Sequence, residues 1–138
     1  METKEFLNKW VFCIHLYWKD EFQEINNLYL VEKEFQNFVK DNRTQTLYKC
    51  VAIENDYLVL QSKKFMLKVK KEGIKKILSQ PTFQWEDMIQ EIERPEIMGK
   101  IEDVIWHEKN SDFLYYITTI DGKKKSRQYK AHELKKLA

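Results

Sequence analysis

Residues with reactive potential are few in this chain. His15, His107 and His132 are the only side chains that titrate near neutrality unaided. His15 stands two residues from Cys13, a spacing that puts both on one face of a strand, and a thiol beside an imidazole is an arrangement for nucleophilic catalysis. The neighbours Phe12, Ile14 and Leu16 point to burial, which raises a thiol's pKa and leaves it inert. Glu86, Asp87, Glu102 and Asp103 offer carboxylates for acid–base work, and a solvated acidic edge explains them equally well. A metal site asks for ligands at close, regular spacing. The chain has no Cys-x-x-Cys, no His-x-x-x-His and no His-Glu-x-x-His. Its three glycines, at 73, 99 and 122, cannot build a phosphate-binding loop. The expectation is therefore a protein that is not an enzyme, with no catalytic residues, no metal and no cofactor.

The sharpest local charge feature is Lys123-Lys124-Lys125-Ser126-Arg127. On a strand, Lys123, Lys125 and Arg127 point one way, and Lys124, Ser126 and Gln128 the other. Either set can grip phosphates or an acidic partner. A lysine-rich edge also guards against unwanted strand addition. Aromatic side chains that could supply stacking, or instead fill a core, stand at Trp106, Tyr115, Tyr116 and Tyr129. The candidate partner-binding set is Trp106, His107, Lys123, Lys124, Lys125, Arg127, Tyr129 and Lys130.

Charge is segregated along the chain although the net is only +2, too little to imply nucleic-acid binding by itself. Residues 63–76 hold seven lysines against Glu72, a local +6. Residues 85–112 hold nine acids against Arg94, Lys100 and Lys109, a local −6, and residues 123–138 hold seven bases against Glu133, again +6. Such blocks either neutralise one another across paired strands or leave separate faces.

The elements that must position these groups follow from periodicity. Residues 10–18 are apolar on both sides of any pleat, which fits a buried strand or a buried helix, and their aromatic and β-branched content favours strand. Leu28, Val31, Phe35 and Phe38 step as one helical face, ending near Asp41-Asn42. Strands are expected at 47–53, 57–61 and 65–69, then a short helix carrying Ile74, Ile77 and Leu78. Ser79-Gln80-Pro81-Thr82 is the best boundary. Beyond it, strands are expected over 99–107 and 113–120, with Asp121-Gly122 as a two-residue hairpin turn, a return strand over 123–129 and a closing turn of helix over 132–137. The fold class is α+β, with a mixed α/β region over 1–80 and a small antiparallel β-barrel over 81–138. Two successive three-strand stretches hint at a duplicated small barrel, without support from residue identities.

Gly99-Lys100-Ile101, Ile105-Trp106-His107, Tyr115-Tyr116, Gly122-Lys123-Lys124-Lys125-Ser126 and Tyr129 with Leu134 together resemble the small KOW-type or Src-homology-type barrel that ends many small bacterial proteins. Some of those proteins look like immunity partners of bacterial toxins. The resemblance covers residues 85–137. It implies a barrel that hosts many unrelated activities, so function has to be argued from a site. In RNA-associated versions an early-loop glycine and a basic rim matter; Gly99 fits, and the acidic residues of 86–103 do not.

At 138 residues, with 43% hydrophobic and 14% aromatic content, the chain has material for one domain or two very small ones. Cys13 and Cys50 lie in apolar runs and read as buried free thiols. Residues 1–6 lack the charged-then-apolar pattern of a leader, and the longest apolar stretch is too short to span a bilayer, so the expected location is the cytoplasm, without membrane contact. The leading functional expectation is a non-catalytic protein-binding module with a toxin-like protein partner. The alternative is a nucleic-acid-binding barrel using the basic 123–130 strand. The sequence leaves the oligomeric state open.

Overall fold

The structure, a computed structural model, describes residues 2–123, 125 and 127–137. Strand makes up 45% and helix 16%, with a single α-helix among the described residues. This corrects the α+β expectation, and with it the mixed α/β first half: the protein is mostly β, in three antiparallel sheets. The chain divides into two compact units, Met1–Gln80 and Pro81–Ala138. Among the described residues no helix is long and apolar enough to cross a membrane.

In the first unit β1 (Trp10–Cys13), β4 (Leu47–Glu54), β5 (Tyr57–Gln61), β6 (Met66–Lys70) and β7 (Ile74–Leu78) form a sheet in the order β6-β5-β4-β1-β7. Between β1 and β4 the chain makes a two-stranded ribbon, β2 (Tyr17–Lys19) with β3 (Glu24–Asn26), then a 3-10 turn at Leu28–Leu30 and α1 (Lys33–Asp41). The apolar run over 10–18 is thus two strands, separated by residues 14–16. The helix expected at Ile74, Ile77 and Leu78 is strand β7, entered through a 3-10 turn at Lys71–Gly73. Its three apolar residues have helical spacing because a register irregularity against β1, between Phe12 and Cys13, lets Lys75 and Lys76 both stay exposed. Val11, Leu16, Tyr48, Leu58, Leu60, Leu67 and Val69 fill the core, with Phe35 and Phe38 of α1 packed against it.

In the second unit β8 (Met88–Glu91), β9 (Met98–His107), β10 (Asp112–Thr119) and β11 (Leu134–Lys136) order as β10-β9-β8-β11. The expected return strand is represented by Lys123, Lys125 and Tyr129, set antiparallel along the outer edge of β10. Thr119 N–H donates to the Lys123 carbonyl at 2.8 Å, Lys125 N–H to Ile117 at 3.0 Å, and Tyr115 and Tyr129 exchange both backbone bonds at 2.9 Å. The expected closing helix is a 3-10 turn, Ala131–Glu133, followed by β11, because Leu134 turns inward to pair with Glu91. Ile89, Ile101, Val104, Tyr115, Ile117 and Tyr129 form the interior.

The two units repeat one another almost bond for bond. Cys13 N–H donates to Thr46 at 2.7 Å, as Glu91 N–H does to Ile97 at 3.0 Å. Ile14 donates to Gly73 at 2.9 Å, as Ile92 does to Glu133 at 3.1 Å. Ser62 donates to Phe65 at 3.0 Å, as Thr119 does to Lys123. Asn8 and Glu86, both with positive φ (64° and 72°), donate to Cys50 and Ile101 at 2.8 and 2.9 Å. Even the bulges coincide, at Val51 in β4 and Glu102 in β9. Both units run through four strand positions in turn, a 3-10 turn and a last strand that pairs back onto the first. The units differ most between their first and second strands, where residues 14–46 (33 residues) stand in one and residues 92–97 (six residues) in the other. The second is also longer by one residue at 120–122 against 63–64 and by two at 125–129 against 67–69.

Candidate functional site

A cleft of about 550 Å³ opens in the second unit between the turn into β9 and the turn out of β10. The first wall is set by Arg94-Pro95-Glu96, where Ile97 N–H donates back to Arg94 at 2.9 Å and aims the chain into β9. The second wall is the loop 120–122. Ile120 N–H donates to Met98 at 3.0 Å, tying the two walls together, and Gly122 sits at φ 86°, where a side chain is disfavoured. Asp121 locks the loop: its carboxylate pairs with the Thr119 hydroxyl and accepts Lys123 N–H at 3.3 Å. Those bonds hold the Asp121 carboxyl below its usual range.

The floor of the cleft is Ile97, Met98 and Ile120, with Ile120 67% exposed. Lys123 and Lys125 stand at its rim with Glu96 and Asp121. The Lys123 charge acts on the Asp121 carboxylate and helps hold it low, and among the described residues no ion pair is formed by Lys125. Lys125 is carried inward by its backbone bond to Ile117, so it is only partly exposed. An apolar floor with a rim of mixed charge, Lys125 being the cation without an acidic neighbour in an ion pair, suits a segment with apolar and polar side chains.

The remaining predicted residues lie elsewhere. Tyr129 is buried, and its hydroxyl donates at 2.8 Å to Glu91, a carboxylate only 3% exposed. Arg94 donates to both Glu91 oxygens, at 3.2 and 3.4 Å, and Arg127 lies 3.9 Å from it. Arg127 also pairs with Glu133 and covers the Tyr129 ring at 4.5 Å. The Glu133 carboxyl accepts Lys130 N–H at 2.9 Å, and that bond, with Arg127 beside it, holds its pKa below the usual range. Arg127, at the surface, and Tyr129, buried, thus belong to an ionic cluster around Glu91. Burial, then the bond to Glu91, pushes the Tyr129 hydroxyl up to about 12.

Trp106 and His107 stand at the far end of the β9–β10 hairpin. Trp106 faces Phe113 across the strands, whereas the cleft begins at Gly99 opposite Thr119. Six residues of β10 separate these positions, roughly 20 Å at strand rise. Trp106 packs edge-on to Phe113 at 5.0 Å and donates to Glu108 at 2.8 Å, and His107 Nδ1 accepts Asn110 N–H at 3.3 Å. Lys124 lies outside the described residues. Sequence reasoning missed Ile97, Met98 and Ile120 as cleft residues and took Asp121 only as a turn residue; an isoleucine ending a strand directly before that turn was the available signal.

Cys13 and His15 do not converge. Cys13 is fully buried, its thiol pushed up to about 12 by that burial, and His15 is exposed. Glu86 pairs with Lys100 at 3.0 Å, Asp87 with Lys136 at 3.7 Å, and Glu102 accepts the Thr118 hydroxyl at 3.0 Å. The acidic and basic blocks therefore neutralise each other in part within this unit. Among the described residues no group of three or more His, Cys, Asp or Glu side chains could hold a metal ion.

The chain belongs to DUF6960, a family of unknown function whose model matches residues 17–135. No curated protein and no solved structure matches it.

Proposed function

We propose that the protein is a non-catalytic protein-binding module whose contact surface is the cleft of the second unit, and that its most concrete role is neutralisation of a toxin-like partner. The observation that carries this is the exposed Ile120 beside Ile97 and Met98, with Lys123 and Lys125 at the rim and Asp121 facing Lys123 alone. Fully burying such a side chain is worth about 1.5–3 kcal/mol. The two cations add speed and selectivity toward an acidic surface. We take the second unit to be a small barrel of the KOW or Src-homology type. Its strand order, with a 3-10 turn leading to a last strand that pairs with the first, supports that assignment. The same proposal has the protein act in the cytoplasm, with Cys13 and Cys50 as free thiols.

The nucleic-acid alternative is less well supported. Arg127 is engaged by Glu91 and Glu133, Tyr115 and Tyr129 are buried, and Glu96 and Asp121 flank the remaining lysines. Co-purification with the product of the neighbouring reading frame tests the proposal. Retention that is lost in Lys123→Glu/Lys125→Glu is expected. A gene remote from any toxin-like frame whose product binds no encoded neighbour would count against it, as would salt-sensitive retention of RNA on a filter.

A further inference from the structure

The two units share a hydrogen-bond register beside the cleft, although the loop 120–122 has one residue more than the matching 63–64, and the first unit carries a helix there. By the hydrogen-bond register, Thr46, Leu47, Phe65 and Leu67 of the first unit occupy the places of Ile97, Met98, Lys123 and Lys125 in the second. In the first unit Leu67, 0% exposed, belongs with Tyr48 to the core against which Phe35 and Phe38 of α1 pack, and Leu47, 1% exposed, lies outside that cluster. Phe38 of α1 lies against Phe65 with ring centroids 5.1 Å apart. The inserted residues deliver the helix there. Val31 bridges to Val69, Glu32 N–H donates to Lys68 at 2.9 Å, and the chain then turns into α1, whose Phe35, Phe38 and Val39 share one face. The second unit has six residues in place of this insertion and carries lysines where the first has Phe65 and Leu67.

We infer that the cleft of the second unit is completed by an amphipathic α-helix of the partner protein, seated as α1 is seated on the first unit, with apolar residues over Ile97, Met98 and Ile120 and carboxylates opposite Lys123 and Lys125. This rests on the protein-binding proposal and adds the conformation and chemistry of the bound segment. The internal helix shows that this backbone accepts a helix with anchors at i, i+3 and i+4, the pattern of helix-in-groove recognition. Charge sets the one change required. Phe38 meets a phenyl ring, whereas the residue in its place on the partner meets an ammonium and is acidic. A short helix of this kind is marginal alone in water, so it orders on binding.

Two peptide display libraries panned on the full chain test the inference. One presents stapled helices with the sequence of residues 30–42, randomised at the positions of Phe35, Phe38, Val39 and Asn42; the other presents flexible linear peptides of the same length. The helical library is expected to enrich Asp or Glu at position 38 with apolar residues at 35 and 39. Bound peptides should shift the amide resonances of Met98, Ile120 and Lys125. Lys123→Glu/Lys125→Glu should weaken them about tenfold, and Lys at peptide position 38 should recover the loss. Selection of helices without an acidic preference, or of linear peptides that bind the cleft extended while helices do not, overturns the inference and leaves the protein-binding proposal standing. If neither library yields a ligand at the cleft, both fall.

Discussion

Replacing Tyr129 by Phe removes one hydroxyl and leaves the packing of the second unit otherwise unchanged. That hydroxyl donates at 2.8 Å to Glu91, which is 3% exposed, so the bond lost is a buried one to an ionised acceptor. Bonds of this kind contribute about 1.5–3 kcal/mol. Arg94 and Arg127 remain to hold the carboxylate, which keeps the cost within that range. At 1.36 kcal/mol per tenfold, amides that exchange by opening of the second unit, such as Tyr115 and Ile117, should exchange roughly 10–150-fold faster. Tyr116→Phe is the matched control, since its hydroxyl accepts Gln128 Nε2 at an exposed site and should change stability by less than about 0.5 kcal/mol. The pH dependence gives a second readout. The folded pKa of Tyr129, about 12, lies above the unfolded value of 10.0, so its contribution is complete below pH 10 and is lost as pH rises through 12. Tyr129→Phe should flatten that alkaline decline. Exchange rates no faster than in the Tyr116→Phe control would refute the claim that this buried pair holds the unit together.

Gly99→Ala should destabilise the second unit by about 1–3 kcal/mol in urea unfolding, because an added Cβ would lie 2.8 Å from backbone atoms of Thr118 and Thr119 that cannot give way. Cys13, with its thiol raised from 9.0 to about 12 by burial, should resist iodoacetamide at pH 8 in the native state and react once unfolded; the stability tied to it is present below pH 9 and lost as pH rises toward 12. Phe38→Ala should cost about 2–3 kcal/mol, less than the 3–5 of a fully buried Phe, and should speed hydrogen exchange in α1.

The strands around 47–61 and 98–119 were legible because β-branched and aromatic runs end at turn-forming residues there. Two edge strands were not. Residues 74–78 have helical spacing only because a bulge lets two lysines face solvent together, and residues 134–136 are too short to show any period. The duplication was visible as a hint and then hidden by side-chain chemistry. Equivalent positions hold Tyr48 and Gly99, Cys13 and Glu91, and Val69 and Tyr129, because backbone register tolerates such changes as long as each interior is filled. The candidate site was half legible. Lys123 and Lys125 announced themselves by charge, but a linear reading grouped them with Arg127 and Tyr129, which fold into the Glu91 cluster, and with Trp106 and His107 at the opposite end of the hairpin. Apolar floor residues come from two separate turns, and only the fold joins them.

The most direct measurement is photo-cross-linking in cells that naturally make the protein, with benzoylphenylalanine at position 120 and, as a comparison, at position 107. Position 120 should capture one protein, the capture should disappear in Lys123→Glu/Lys125→Glu, and position 107 should not capture it. RNA in the adduct, or equal capture from both positions, would contradict the assignment of the cleft as the protein's binding surface.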